Sequence, residues 1–404
     1  MKIVRQSHKL KTSFYPGCNK RIRWFRRLSL LLASVFIAGT LGAAANEGAP
    51  QQTLLMAQQA LYEGSFDQAL TRFAAIIQDY PDDPKGYLFL AVAYRWLTRI
   101  DPGSAQYQEQ FEQAANRSIK KALSLIKENP NNAEATLYLA ASYGYRAEYY
   151  NFLKKSWGKA YDDGVKMQEY LKKAQKFSHI PLDIQLGYGL YNYYAYLYRE
   201  KIGWWRFLLS LPKGDKKKGL ELLEKVREEG SYANIEAWYF LIEIYKDERN
   251  PELRARARVL SEELRQKYPH NPFFHILLAG VYHKQHDWQR SIQTAQEILT
   301  QANTQPYYSD YLIYQAKYLI GESSFFLGQN EQALQTFDEI IAFQPKQPTY
   351  LLPWAHLRRG TIYSLTGQQE RATVEFQLIL KMEDVLHVHE LARALLERQR
   401  QHQN

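Results

Sequence analysis

The chain has 404 residues, 46% of them apolar, and carries 52 Lys and Arg against 42 Asp and Glu for a formal net charge of +10. That excess sits at the front, where residues 1–45 hold nine basic residues (Lys2, Arg5, Lys9, Lys11, Lys20, Arg21, Arg23, Arg26, Arg27) and no acid. Subtracting nine from 52 leaves 43 basic residues against 42 acidic ones, a net of +1, so the remainder gives no support for nucleic-acid binding.

The front segment reads as an export signal. A cationic stretch ends at Arg27, an apolar run follows over Leu28–Leu41, and Ala43 and Ala45 place small residues at −3 and −1 before Asn46. Cleavage after Ala45 and a periplasmic or otherwise extracytoplasmic location are expected. An uncleaved anchor is the alternative, because the apolar stretch approaches the ~20 residues that span a bilayer. Arg26 and Arg27 fit a twin-arginine signal poorly, given Phe25 and Leu28 on either side. The single cysteine, Cys18, precedes the apolar run and is not placed to carry a lipid. Beyond residue 45 the chain therefore forms no disulfide, thiolate metal site or cysteine nucleophile, and its stability rests on an apolar core.

A repeat then sets in. Gly64 is followed by Phe66, Ala69, Phe73, Ile76 and Pro81, at offsets of 2, 5, 9, 12 and 17. Gly328, Ala333, Phe337, Ile340 and Pro345 return in the same frame, as do Gly367, Ala372, Phe376 and Ile379. His286, Trp288, Ser291, Ala295 and Ile298 repeat it with histidine at the turn, and Ala257, Ser261, Leu264 and Pro269 give a further copy. Preceding each is an apolar helix pattern with a small residue and then a tyrosine. Ala91 with Tyr94, Ala140 with Tyr143, Ala279 with Tyr282, and Gly360 with Tyr363 are examples, and Ile242 with Tyr245 keeps the spacing without the small residue. The physical reason is helix-pair packing. Small residues let two helices approach, large apolar residues fill the space to the next pair, and proline ends the second helix.

On these residues the chain resembles the tetratricopeptide repeat superfamily over most of residues 50–386, and its middle resembles that of exported bacterial members with no assigned biochemistry. The resemblance implies an all-α fold, a right-handed α-solenoid of about seven to eight helix pairs with an irregular middle section. The expected organisation is a signal at 1–45, repeats with inserts at 46–180, an irregular helical section at 181–232, repeats at 233–386 and a capping helix and tail at 387–404. The middle is marked by Leu186–Ala195, by Gly203–Asp215, and by Lys218, Gly219 and Leu220.

Motifs for chemistry are weak. Gly214 and Gly219 have phosphate-loop spacing, but Leu220 and Glu221 stand where Lys and Ser or Thr are needed, so a turn before a helix is the better reading. His387 and His389 diverge by roughly 200° on a helix and do not share one ion. No nucleophile elbow occurs. The reading is of a chain that is not an enzyme and takes no cofactor and no metal. An enzyme or enzyme subunit without a recognised motif is the alternative from another class.

The resemblance also implies that one face of each first helix lines a concave groove for a protein or peptide partner. Mapping the register places Arg95, Tyr145, Tyr239, Phe273, Tyr318, Glu322, Phe325 and Trp354 there, with Leu88, Leu137, Glu243, Ile276 and Leu357 among their neighbours. The set lacks the lysines and asparagines of a carboxylate clamp and suits an amphipathic helix or an extended apolar segment. The 31 tyrosines fall largely at repeat core positions, so packing accounts for them before saccharide stacking does. A second binding reading is a peripheral envelope assembly factor that touches a membrane through Trp204, Trp205 and Phe207 of a short apolar segment at 203–211.

Overall fold

The computed structural model describes residues 49–178, 181–202 and 214–403. Residues 1–45, expected to be an export signal, and Trp204, Trp205 and Phe207 lie outside the described residues. Those described form seventeen α-helices: α1 Gln51–Glu63, α2 Phe66–Asp79, α3 Pro84–Ile100, α4 Ala105–Glu128, α5 Ala133–Phe152, α6 Trp157–Ala174, α7 Gln185–Ile202, α8 Lys216–Glu229, α9 Asn234–Tyr245, α10 Pro251–Lys267, α11 Pro272–Lys284, α12 Trp288–Ala302, α13 Asp310–Leu327, α14 Asn330–Phe343, α15 Leu351–Leu365, α16 Gln369–Ile379 and α17 Val388–Gln403. A 3-10 turn, Leu182–Ile184, precedes α7. Consecutive helices pack as eight antiparallel-type pairs followed by a closing helix, the all-α repeat fold implied by the sequence. The chain divides into two compact units after Asn271: α1–α10 form the first and α11–α17 the second.

The repeat frame explains each pair. On α2, Phe66, Ala69, Phe73 and Ile76 are buried, and on α14 Ala333, Phe337 and Ile340 take the same places. The helical period stacks these residues on one face, which packs against the preceding first helix. Gly321 on α13 shows why the partner residue is small: a Cβ there would come within 2.9 Å of the Phe337 ring. Gly360 on α15 meets Phe376 in the same way, at 2.7 Å. The turn glycine is conformational. Gly328 has φ of 82° and ends α13, and the histidine that replaces it at 286 adopts φ of 65°. The final helix caps the array, with Val388, Ala392 and Leu395 packed on Phe376 and Ile379.

Helix starts follow from local chemistry. Asp83, Asn132 and Asp215 accept backbone N–H bonds from Lys85, Ala135 and Lys218 at 2.8, 2.9 and 3.0 Å. The stretch from Gly214 to Gly219 is accordingly a turn leading into α8. Gly219 meets α7 so closely that a Cβ would lie 2.6 Å from the Tyr193 nitrogen. The part of 181–232 that is described is thus another tight helix pair, α7 with α8, whose glycines are contact points.

In the first unit the chain returns on itself. Asn271 donates from its side chain to the Tyr62 carbonyl at 3.0 Å, and Gln58 donates to the Tyr232 carbonyl at 3.2 Å. Between the 3-10 turn and α9, the buried Asp183 carboxylate accepts backbone N–H bonds from Tyr232 and Ala233 at 2.8 and 2.7 Å. Burial raises the Asp183 carboxyl above its ordinary value, against the pull of those amides. The last helices of the unit are therefore tied to its first helix and to the start of α7.

Candidate interaction surface

In the second unit the first helices are α11, α13 and α15. Glu322 on α13 is 5% exposed and stands between His283 on α11 and Arg358 on α15. Arg358 Nε donates to Glu322 Oε1 at 2.8 Å, His283 Nε2 lies 3.0 Å from Oε2, and the Tyr318 hydroxyl donates at 3.2 Å. Burial alone would push this carboxyl up. The Arg358 guanidinium, with the hydrogen bond to His283, outweighs it and holds Glu322 at about 2. The Arg358 guanidinium also lies over the rings of Trp354, Phe326 and Phe325, at 5.4, 5.4 and 5.5 Å.

Around this network the aromatic residues differ in access. Tyr318 and Phe325 are buried, whereas Trp288, Phe326 and Trp354 are half-buried; Phe273, also half-buried, stands at the other end of α11, about 15 Å along the helix from His283. Trp288 stacks on Phe326 at 4.5 Å and on the exposed His286 at 4.9 Å. The indole N–H of Trp354 is shielded from solvent and has no hydrogen-bond partner among the described residues. The result is an aromatic surface over a charge network that is neutralised internally. Such a surface favours apolar segments over isolated charges.

The first unit assembles its residues differently. Arg95 on α3 holds Glu148 on α5 with two N–H groups, one of them at 2.6 Å, and Arg99 adds a third at 3.2 Å. Burial raises the Glu148 carboxyl, but Arg95 and Arg99 overcome it and leave it below its ordinary value. The Arg99 guanidinium sits 4.6 Å from the Trp96 ring and 5.0 Å from that of Tyr239. Nearby, Glu236 on α9 accepts from the Tyr62 hydroxyl at 2.7 Å and from Trp96 Nε1 at 3.1 Å. Burial pushes Glu236 up to about 7 despite those bonds.

Arg95, Tyr145 and Tyr239, mapped to a groove from the register, are thus gathered in one cluster. Arg95 and Tyr145 are 5% and 1% exposed, and only Tyr239 is half-buried. Sequence reasoning did not single out Glu148, Glu236, His283 or Arg358. The available signal was charge at helix positions that the repeat otherwise fills with apolar residues.

Other motifs resolve simply. His387 lies in the turn before α17, and His389 Nε2 lies 3.0 Å from the Met382 carbonyl oxygen. Among the described residues no group of three or more His, Cys, Asp or Glu could hold a metal ion. A cavity of about 490 Å³ lies between α6 and the α7–α8 pair, lined by residues including Gln168, Gln185, Tyr188 and Tyr191. Glu236 does not line it, and at 1% exposure that raised carboxyl is not open to a substrate.

No curated protein matches the sequence. Among solved structures, the human IFIT1 dimer with PPP-AAAA is 13% identical, with 79% of this chain and 69% of that chain covered and a TM-score of 0.44. The yeast Tom70 crystal structure is 11% identical, with 87% and 88% covered and a TM-score of 0.39. Two segments match tetratricopeptide repeat family models: residues 54–99, which span the first helix pair and most of α3, and residues 315–346, which cover most of α13 and all of α14. With the packing frame of Gly64 through Ile76 recurring at Gly328 through Ile340, the chain is a protein of the tetratricopeptide repeat superfamily.

Proposed function

We propose that this chain is a non-enzymatic interaction scaffold of the cell envelope that binds a protein or peptide segment without a cofactor. The repeats support the scaffold role in general terms, because helix pairs of this kind present faces for protein recognition. The observation that carries the binding surface is the half-buried aromatic set Trp288, Phe326 and Trp354, laid over the neutralised Glu322–Arg358 pair. In this reading Tyr318, Glu322 and Phe325 brace the surface from beneath, and the partner contributes an apolar helix face or extended segment. The buried Arg95 and Tyr145 of the first unit serve architecture.

Photo-crosslinking from position 354, in cells that export the chain, tests this directly. A discrete adduct with a protein partner is expected. It should disappear when Trp288→Ala and Phe326→Ala are added, while the thermal transition is retained. An adduct unaffected by those changes would move the binding surface elsewhere. The envelope location is tested by fractionation with N-terminal sequencing, where a mature chain beginning at Asn46 is the expected result and a chain recovered in the cytoplasm sinks it.

A further inference from the structure

α6 packs along α5 and buries Ala160, Gly164, Met167 and Leu171 on one face. Its other side carries Trp157, Tyr161 and Val165, which are 43%, 62% and 48% exposed. Residues four apart on a helix are neighbours about 6 Å apart along the axis, so these three form one stripe. Solitary exposed apolar residues are ordinary, but three in a row, two of them aromatic, are not.

The charge around the stripe is as distinctive. Residues 151–178 contain seven lysines, no arginine, and three acids, Asp162, Asp163 and Glu169, for a net of +4. Everything after residue 45 sums to +1, so the rest of that chain is at −3. Two of the three acids are engaged: Asp163 turns inward to Arg146 at 2.6 Å, and Glu169 pairs with Lys173 at 2.7 Å. Lys155, Lys172 and Lys176 are exposed and have no carboxylate partner among the described residues.

We propose that this face of α6 rests on an anionic lipid surface, with Trp157 and Tyr161 in the interfacial layer and the lysines on the headgroups. Lysine, rather than arginine, is the cation depleted from protein interfaces, whereas its long stem suits a headgroup layer. Tryptophan and tyrosine favour the membrane–water boundary. No described helix is long and apolar enough to cross a membrane, so the attachment is peripheral. It is distinct from the partner-binding face of the second unit, and it uses residues other than the 203–211 segment.

The test is sedimentation with vesicles, using the chain cut after Ala45, which keeps every described residue. Vesicles of phosphatidylcholine with about a third phosphatidylglycerol should bind it at low salt and release it at 0.5 M salt, a screening range of only a few ångströms. Pure phosphatidylcholine should bind it at least tenfold more weakly. Each lysine at such a surface is worth roughly fivefold in partitioning, so Lys155→Gln with Lys172→Gln and Lys176→Gln lowers binding about a hundredfold. Trp157→Ser with Tyr161→Ser, both at exposed positions, lowers it about tenfold without altering the circular dichroism spectrum. Binding that both variants retain overturns the proposal and points to another segment. Failure to bind anionic vesicles overturns it too, and lysine-dependent binding to an acidic polypeptide in its place would assign the face to a protein.

Discussion

Glu236 in the first unit and Glu322 in the second are both buried carboxylates on first helices, at 1% and 5% exposure, yet one is pushed up to about 7 and the other is held at about 2. Burial acts on both in the same direction. The difference lies in what faces them: two neutral donors, Tyr62 and Trp96, face Glu236, whereas Arg358 and His283 face Glu322. A hydrogen bond from a hydroxyl or indole does not replace lost hydration of a charge, but an adjacent guanidinium does. The contrast belongs to the sites and not to the repeat, since Glu148 in the first unit is held below its ordinary value by Arg95 and Arg99 as Glu322 is by Arg358.

The most severe way to break this comparison is to remove one partner of a buried ion pair. Glu322→Gln leaves Arg358 buried without its counter-charge and should cost about 3–5 kcal/mol, and Glu148→Gln should cost as much by stranding Arg95 and Arg99. Glu236→Gln should be neutral or stabilising near pH 8, because an amide there accepts the same bonds without a buried charge. Denaturant titration of the three variants checks the order. A Glu236→Gln variant as damaged as Glu322→Gln would mean that the Glu236 carboxylate is well partnered in the fold and is not raised by burial.

The pH dependence sharpens the same contrast, with opposite signs. A carboxyl has an ordinary value of 4.5. For Glu236, folded and unfolded chains are both protonated below that value, and the group costs nothing. Between 4.5 and about 7 the unfolded chain releases its proton first, so stability falls as pH rises, by about 3 kcal/mol in full. For Glu322 the contribution is fully present above 4.5 and is lost as pH falls toward about 2, again by about 3 kcal/mol. Glu236→Gln should flatten the profile from pH 5 to 7 and leave the acid limb unchanged. Because two compact units need not unfold together, fluorescence at several wavelengths should accompany the titration.

How much of this was legible in the sequence follows from what a local pattern encodes. The second helices were readable to the residue: Ala69, Phe73 and Ile76, and likewise Ala372, Phe376 and Ile379, are buried where the frame put them. The closing helix was readable from its amphipathic run, since Val388, Ala392 and Leu395 share one face. The turn at Gly214 was readable because it lacked the residues a phosphate loop needs. The clasp from Tyr62 to Glu236 was not, because it joins residues 174 apart and no local period records such a contact. Nor was the burial of Arg95 and Tyr145. Register tells which side of a helix a residue occupies, but whether that side stays open depends on what the chain brings against it later. The α7–α8 pair was missed because its glycines break the usual small-residue frame while making the same close approach.

A smaller perturbation asks whether the close approach is as tight as the packing implies. Gly321→Ala and Gly360→Ala place a methyl 2.9 and 2.7 Å from ring carbons of Phe337 and Phe376. Overpacking of this kind should cost about 1–3 kcal/mol, offset in part by the better helix propensity of alanine. Circular dichroism melts of each variant should show a lowered transition. An unchanged melt would mean that the rings yield, and that the repeat frame at that position reflects tolerance.

Gly280 on α11 supplies the mildest test and the one closest to function. A Cβ there meets nothing within 4 Å, and the φ is not in the left-handed region, so neither clash nor strain opposes alanine. Gly280→Ala should therefore stabilise the second unit by about 0.5–1 kcal/mol through helix propensity and a less flexible unfolded chain. It sits two turns along the helix from Phe273, on the stretch of α11 that also presents His283 to Glu322. If a partner segment lies against this face, the added methyl should raise the melting temperature and at the same time weaken photo-crosslinking from position 354. Stabilisation with crosslinking intact would leave the open space beside Gly280 outside the contact and confine the partner to the α13 and α15 side of the aromatic surface.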